Sequence, residues 1–229
     1  MSRKPKKPDY NSESIMKELL NAVSECYGTQ DGSSESLRYV SREFDFTHLK
    51  TRKLLITAGA YSTEISDYVN SLKNDGKSVP EIMQATGLSR ASVHSYLPYT
   101  KVIYNAKELS LNAERIRKYR ERQAAVEKIC DCIEEGDNDL AEVVWDAIKL
   151  FQNYPFYTAR NLKYKYTVKG NEMFVDRKEK SITRATVDLA LINVLGKDRQ
   201  ITGPKQLGVF GASYLYPIFR RFDLNFLKN

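Results

Sequence analysis

Ser78-Val-Pro-Glu-Ile-Met-Gln-Ala-Thr-Gly-Leu-Ser-Arg-Ala-Ser-Val-His-Ser-Tyr-Leu97 reads as two short helices joined by a tight turn. Pro80 stands in the first turn of the leading helix, where an N–H would find no intrahelical partner. Val79, Ile82 and Met83 supply its apolar side. Gly87 provides the left-handed conformation that a Cβ resists, Leu88 plugs the corner, and Ser89 is suited to cap the next helix. Val93 and Leu97, four apart, share one face of that second helix. The leading part of the helix is left with Arg90, Ala91, Ser92, His94 and Ser95, of which Arg90, Ala91, His94 and Ser95 are expected to point outward. An ordinary helical hairpin without a ligand carries some of the same signals.

An internal repeat strengthens the pattern. When Leu37 is laid over Val79, the stretch Leu37–Leu55 covers Val79–Leu97. Val40 then matches Ile82, Phe46 matches Leu88, Thr47 matches Ser89, and Leu55 matches Leu97. Two departures stand out. Asp45 replaces the turn glycine, which is tolerable because Asp visits the left-handed region more readily than most residues. Thr51 replaces Val93, so the first corner is less apolar. The outward residues of the first unit are expected to be His48, Arg52 and Lys53.

Taken as a pair, residues 36–98 resemble the bipartite helix-turn-helix DNA-binding regions of bacterial regulators and of some transposases and sigma factors. The resemblance implies double-stranded DNA as partner, with the second helix of each unit offered to the major groove. The candidate contacts are His48, Arg52 and Lys53 in the first unit and Ser89, Arg90, Ser92, His94 and Ser95 in the second. If both units dock, they are expected to cover adjacent DNA segments.

Length and charge are compatible with that reading. The chain has 229 residues, enough for one large domain or two small ones. Its formal net charge is +7, an excess that favours a polyanionic partner without requiring one. No apolar run is long enough to cross a bilayer, and no secretory hydrophobic region follows Met1. Cys26, Cys130 and Cys132 leave an odd thiol in any pairing, which points to a reducing cytoplasm. Cys130-x-Cys132 has no histidine nearby in sequence, so neither a metal nor another cofactor is expected.

Residues 1–12 form a basic tail, expected to be disordered, in which Arg3, Lys4, Lys6 and Lys7 face a single Asp9. A helix follows from Ser12 or Ser14, with Ile15, Leu19, Ala22, Val23 and Cys26 in one stripe. The polar stretch from Gly28 to Ser36 reads as a loop. Ala60–Lys73 reads as the helix that opens the second unit, so residues 13–104 comprise two small three-helix bundles. Pro98 discourages continuation of the last helix. A long connecting helix then spans about Ala106–Glu135, within a segment 105–138. Leu109, Asn112, Ile116, Tyr119, Gln123, Val126, Cys130 and Ile133 follow steps of three and four. That is the spacing of a dimerising coiled coil, and equally of an amphipathic helix packed within its own chain.

Acidic residues dominate from Asp131 to Asp146, and a further module, 139–229, begins there. Leu140, Val143, Val144, Ala147, Ile148 and Phe151 mark a helix that also carries Trp145. Leu162–Val168 alternates as a strand, Lys169-Gly-Asn171 is turn chemistry, and Glu172–Asp176 returns as a second strand. Basic residues crowd this region: Arg160, Lys163, Lys165, Lys169, Arg177, Lys178, Lys180 and Arg184. A winged-helix-like basic hairpin would let Lys165, Lys169, Arg177 and Lys178 touch phosphate; a solvated hairpin has the same composition. Thr183-Arg-Ala-Thr-Val187 echoes Ser89-Arg-Ala-Ser-Val93. It marks a helix capped by Thr183, with Arg184 either facing DNA or decorating a core helix. Gly203, Gly208 and Gly211 belong to turns beside an aromatic core, because no phosphate-binding loop signature accompanies them.

Catalysis has little support. His48 and His94 both lie on the presumed DNA-facing helices. Asp176-x-Lys178 has the spacing used in some metal-dependent nucleases, but the further carboxylates such chemistry needs are not evident. The expected fold is mainly α: tandem helix-turn-helix units, a long connecting helix and a C-terminal α+β module. The expected function is a sequence-specific transcriptional regulator that binds double-stranded DNA, not an enzyme. Its C-terminal module would add DNA contacts, sense a modified base or mediate a homodimer. The alternative is the DNA-targeting component of a transposition or restriction system, with or without nuclease activity.

Overall fold

The computed structural model describes residues 11–30, 34–99, 106–196 and 201–224. Residues 1–10 of the basic tail lie outside them. The chain divides into two compact units, 1–119 and 120–229.

The first unit opens with helix α1 (Ser12–Gly28), started by the Asn11 side chain, which accepts from the amides of Glu13 and Ser14. Its expected stripe of Ile15, Leu19, Ala22, Val23 and Cys26 is buried. The polar segment expected as a loop from Gly28 to Ser36 is shorter than that, because α1 runs through Gly28 and α2 (Ser34–Phe44) begins at Ser34. Asp45, at φ +50°, turns the chain into α3 (His48–Thr57). Thr47 caps α3 by accepting from the Lys50 amide. Helices α1, α2 and α3 pack on one another around Leu19, Val23, Val40, Phe44, Leu54 and Leu55. Thr51, in the place of Val93, is fully buried, and its hydroxyl lies 2.9 Å from that of Ser41. A hydrogen-bonded pair thus fills the corner that apolar atoms fill in the second repeat.

The second repeat follows as α4 (Glu64–Asn74), α5 (Val79–Thr86) and α6 (Arg90–Tyr96). Helix α4 begins four residues later than its apolar pattern suggests. Thr63 and Ser66 form a reciprocal capping box there, and this fixes the start. Gly87 adopts φ +69° and Ser89 caps α6 by accepting from the Ser92 amide. Val69, Ile82 and Val93 are fully buried beneath Leu72, Met83, Leu88 and Leu97. So small a core is marginal by itself and leans on a neighbour.

Helix α7 (Ala106–Glu135) contributes its leading half to the first unit and its trailing half to the second. Ile116 and Tyr119 join the first core, where the Tyr119 ring lies 4.7 Å from that of Phe44. Val126, Ile129 and Cys132 join the second core. The buried stripe therefore runs through Arg122, Ile129 and Cys132, leaving Gln123, Cys130 and Ile133 only half-buried. Of the two readings of α7, packing within its own chain describes this stripe. The side chain of Leu109 lies outside the described residues.

The second unit is the α+β module. Helix α8 (Leu140–Leu150) precedes β1 (Phe156–Tyr157), which pairs antiparallel with β2 (Lys163–Tyr164). A three-stranded antiparallel sheet, order β3-β4-β5, joins β3 (Tyr166–Lys169), β4 (Glu172–Val175) and β5 (Ile182–Thr183). The expected strand Leu162–Val168 is thus broken at Lys165, and its two halves serve different sheets. Helix α9 (Arg184–Leu195), capped by Thr183, is followed by a single 3-10 turn (Pro204–Leu207) and α10 (Ala212–Arg221). Trp145, Phe151, Tyr164, Tyr166, Phe219 and Phe222 form the centre of the core. The two tyrosines keep their hydroxyls satisfied at the carbonyls of Tyr214 and Ile148. The whole is mainly helical with an α+β C-terminal module.

Candidate nucleic-acid interface

Arg90, Ala91 and His94 are exposed on the leading half of α6. The cap directs this arrangement, since Ser89 fixes the entry of the helix and Val93 anchors its opposite side in the core. Ser89 and Ser92 are occupied with each other, their hydroxyl oxygens 2.9 Å apart, so capping is their first task. Ser95 departs from expectation. It is 7% exposed, and its hydroxyl donates back to the Ser92 carbonyl at 2.7 Å. The reason is that α6 has two packed sides, one against α4 and α5 and one against α3.

That second packed side also changes the first motif. His48 and Leu49 are exposed at the start of α3. Arg52 and Lys53, expected outward, instead reach across to α6. The Arg52 guanidinium sits 4.6 Å from the centre of the Tyr96 ring. The Lys53 ammonium donates to the His94 carbonyl at 3.0 Å. One turn further on, the Tyr99 amide donates to the Thr57 hydroxyl at 2.7 Å. Within the second repeat, Asn70 of α4 holds the end of α6 by donating to the Tyr96 carbonyl at 3.0 Å. Lys50, for which the sequence suggests no role, lies 4.5 Å from the Phe46 ring and 5.6 Å from that of Tyr99. Arg115 of α7 also covers Phe46, at 4.8 Å. The cations of α3 are thus largely spent inside the unit, whereas Arg90 on α6 faces water.

In the C-terminal module the basic residues separate into three groups. Arg184 departs from the DNA-facing expectation: its guanidinium is ion-paired with Glu142 and lies 3.9 Å from Asp188. The helix it opens packs toward the core, and Glu142 on α8 meets its first turn. Lys165, Thr167 and Lys169 share the exposed face of β3 and its approach. Lys169 stands opposite Glu172 across the ladder, and Lys165 accepts at its carbonyl from the amide of Asp176. Each lysine of this face therefore has a carboxylate-bearing residue beside it, Glu172 on β4 and Asp176 just past its end.

Lys178 and Lys180 form the third group. Both ammoniums approach Phe210, at 3.5 Å and 5.0 Å from its centre, and Phe210 is 43% exposed. Burial against the ring, then the charge of Lys180, holds the Lys178 ammonium below the usual lysine range. The sequence points to Lys178 as a hairpin residue but not to its grouping with Lys180 and Phe210. Lys-x-Lys spacing in the turn after β4 is the only local signal; the ring comes from a distant turn. Arg177 is exposed.

No helix among the described residues is long and apolar enough to cross a membrane. Comparison with protein-family models, with curated proteins and with solved structures gave no match to this chain.

Proposed function

We propose that this chain binds double-stranded DNA through α6 and acts as a sequence-specific transcriptional regulator of the cytoplasm. One observation carries the reading: a capped helix, entered from a left-handed Gly87, exposes Arg90 and His94 on its leading half while Val93 fastens its back. Arg is the residue best suited to a bidentate contact with guanine, and N-terminal positions of a second helix are where base edges are met. The net charge of +7 supports a polyanionic partner.

Selection of bound duplexes from a random pool, run in methylated and unmethylated forms, tests the reading. Recovery of a shared short sequence is expected. Enrichment in one pool alone would assign modified-base sensing to the protein. A retained population with no common sequence, bound only at low salt, would reduce the interaction to charge and overturn the proposal.

A further inference from the structure

We infer that the tandem repeat is an internal pair fastened side by side, in which α6 alone reads bases, α3 is its platform, and each chain engages one major groove. The inference rests on the DNA-binding reading and specifies how that site works.

Just past the repeated stretches, Thr57 at the end of α3 and Tyr99 beyond α6, 42 residues apart, are hydrogen-bonded to each other. The neighbouring bonds, Lys53 to the His94 carbonyl and Arg52 on Tyr96, lie on the same joint. These contacts begin in the middle of α3 and at the middle of α6, so little helix projects beyond them.

Geometry then decides how many helices can read. Each helix is roughly 10–12 Å across with its side chains, and the major groove is about 12 Å wide. One helix fits, and two packed side by side do not. Reading two successive turns of the groove would need a separation of about 34 Å. About four or five residues of helix project from the joint on either side, at about 1.5 Å each, and packed axes lie about 8–10 Å apart. Even fully splayed, the two leading ends stay within roughly 25 Å of each other. Docking both in separate groove turns would break the joint.

The choice of α6 follows from what each helix has left to offer. Arg52 and Lys53 are held in the joint and Lys50 is folded over aromatic rings, leaving His48 and Leu49 at the front of α3. Helix α6 keeps Arg90 and His94 exposed.

The test uses the full chain and the duplex recovered by selection. Base preference at every position is measured for wild type, Arg90→Ala, His48→Ala, Lys53→Gln and Lys53→Arg, alongside hydroxyl-radical footprints. Arg90→Ala is expected to lower discrimination at one base pair by roughly 5- to 150-fold. His48→Ala is expected to change affinity evenly across sequences, if at all, and leave every preference in place. Lys53→Gln should blur the preference at the base pairs assigned to Arg90 with the helical circular dichroism unaltered, and Lys53→Arg should restore it. One chain should protect one groove segment. If His48→Ala instead erases preference at a second cluster of base pairs, α3 is a reader and the inference is wrong while DNA binding stands. If wild type selects no sequence, the DNA-binding reading fails, and the inference falls with it.

Discussion

Tyr99 donates its amide to the hydroxyl of Thr57, tying the chain just after the second repeat to the end of α3 in the first. The bond closes a joint that also holds Lys53 on the His94 carbonyl. A duplicated helix-turn-helix has thereby become one body instead of two beads on a string. Arg52 and Lys53 of α3 serve the joint, whereas Arg90 of α6 is exposed.

Removing the acceptor should therefore loosen the first unit. In Thr57→Val the half-buried Tyr99 amide is deprived of its partner, a cost of about 1–3 kcal/mol. Thr57→Ser keeps the oxygen and should lie close to wild type. Urea denaturation of the three proteins, with unchanged slope, checks the ordering.

The corner of the first repeat offers a second test. Ser41 and Thr51 bond each other in a fully buried position where the second repeat has Met83 and Val93. Each hydroxyl also reaches its own helix carbonyl, Ser41 at Leu37 and Thr51 at Thr47, so Ser41→Ala or Thr51→Val alone forfeits only the mutual bond, at about 0.5–1.5 kcal/mol each. The double variant should be more stable than the sum of the singles predicts, because both polar partners are gone together. A double-mutant cycle by thermal or urea unfolding gives the coupling, and strict additivity would show that the pair does not interact.

What is legible in the sequence follows from the range of the forces involved. Caps and turns are local: Thr47, Ser89 and Thr183 announce helix starts, and Asp45 and Gly87 left-handed turns, as single residues. Apolar stripes reveal α1, α4, α5, α6 and α8 for the same reason. The joint between α3 and α6 is not legible, because nothing in Lys53 distinguishes a lysine bound to a carbonyl from one in water. Ser95 illustrates the same limit, since its exposure depends on a helix more than thirty positions earlier in the chain. Arg184 stays open in sequence between DNA and a core helix because Glu142, its partner, is supplied by a different helix. The split of Leu162–Val168 between two sheets is equally hidden, because alternation reports a strand and not its neighbour.

Two glycines should respond differently to the same substitution. Gly87 is left-handed at φ +69° with open space where a Cβ would go. Gly87→Ala should cost about 1–2 kcal/mol, all of it backbone strain. Gly211, at φ +76°, faces the Ile182 side chain, into which a Cβ would run. Gly211→Ala should therefore cost about 1–3 kcal/mol beyond the backbone strain. Adding Ile182→Val should recover part of that excess in Gly211→Ala and leave Gly87→Ala unaffected, as judged from denaturation midpoints.

The lysine pair on Phe210 predicts a pH effect of definite sign. Burial and Lys180 lower the Lys178 value, so the folded protein releases this proton before the unfolded chain does. Its contribution to stability then rises as pH climbs through the depressed value and levels off above the ordinary lysine value. Carbon-detected NMR titration of the Lys178 side chain should place it below the exposed lysines, and Lys180→Ala should move it upward. A Lys178 titration indistinguishable from the exposed lysines would mean that its ammonium stands free of the ring.

The last prediction separates the basic groups of the C-terminal module as DNA contacts, given the proposed function. Lys165 and Lys169 have Asp176 and Glu172 as their cross-ladder neighbours, whose negative charge offsets part of the local positive field. Lys178 and Lys180 converge on an exposed ring, and the charge that bears on Lys178 among the described residues is that of another cation. Two ammoniums held close against their repulsion gain most from a phosphate oxygen between them. Deleting one lysine–phosphate pairing should reduce the log-log salt slope of binding by about 0.9. Lys178→Gln with Lys180→Gln should therefore flatten the slope by the equivalent of about one to two phosphates. Lys165→Gln with Lys169→Gln should change it by less than about one phosphate. Affinity for the selected duplex, measured across a salt series, compares the two pairs directly. The reverse order would return the DNA contact to the hairpin face and leave the Phe210 pair as a packing feature of the fold.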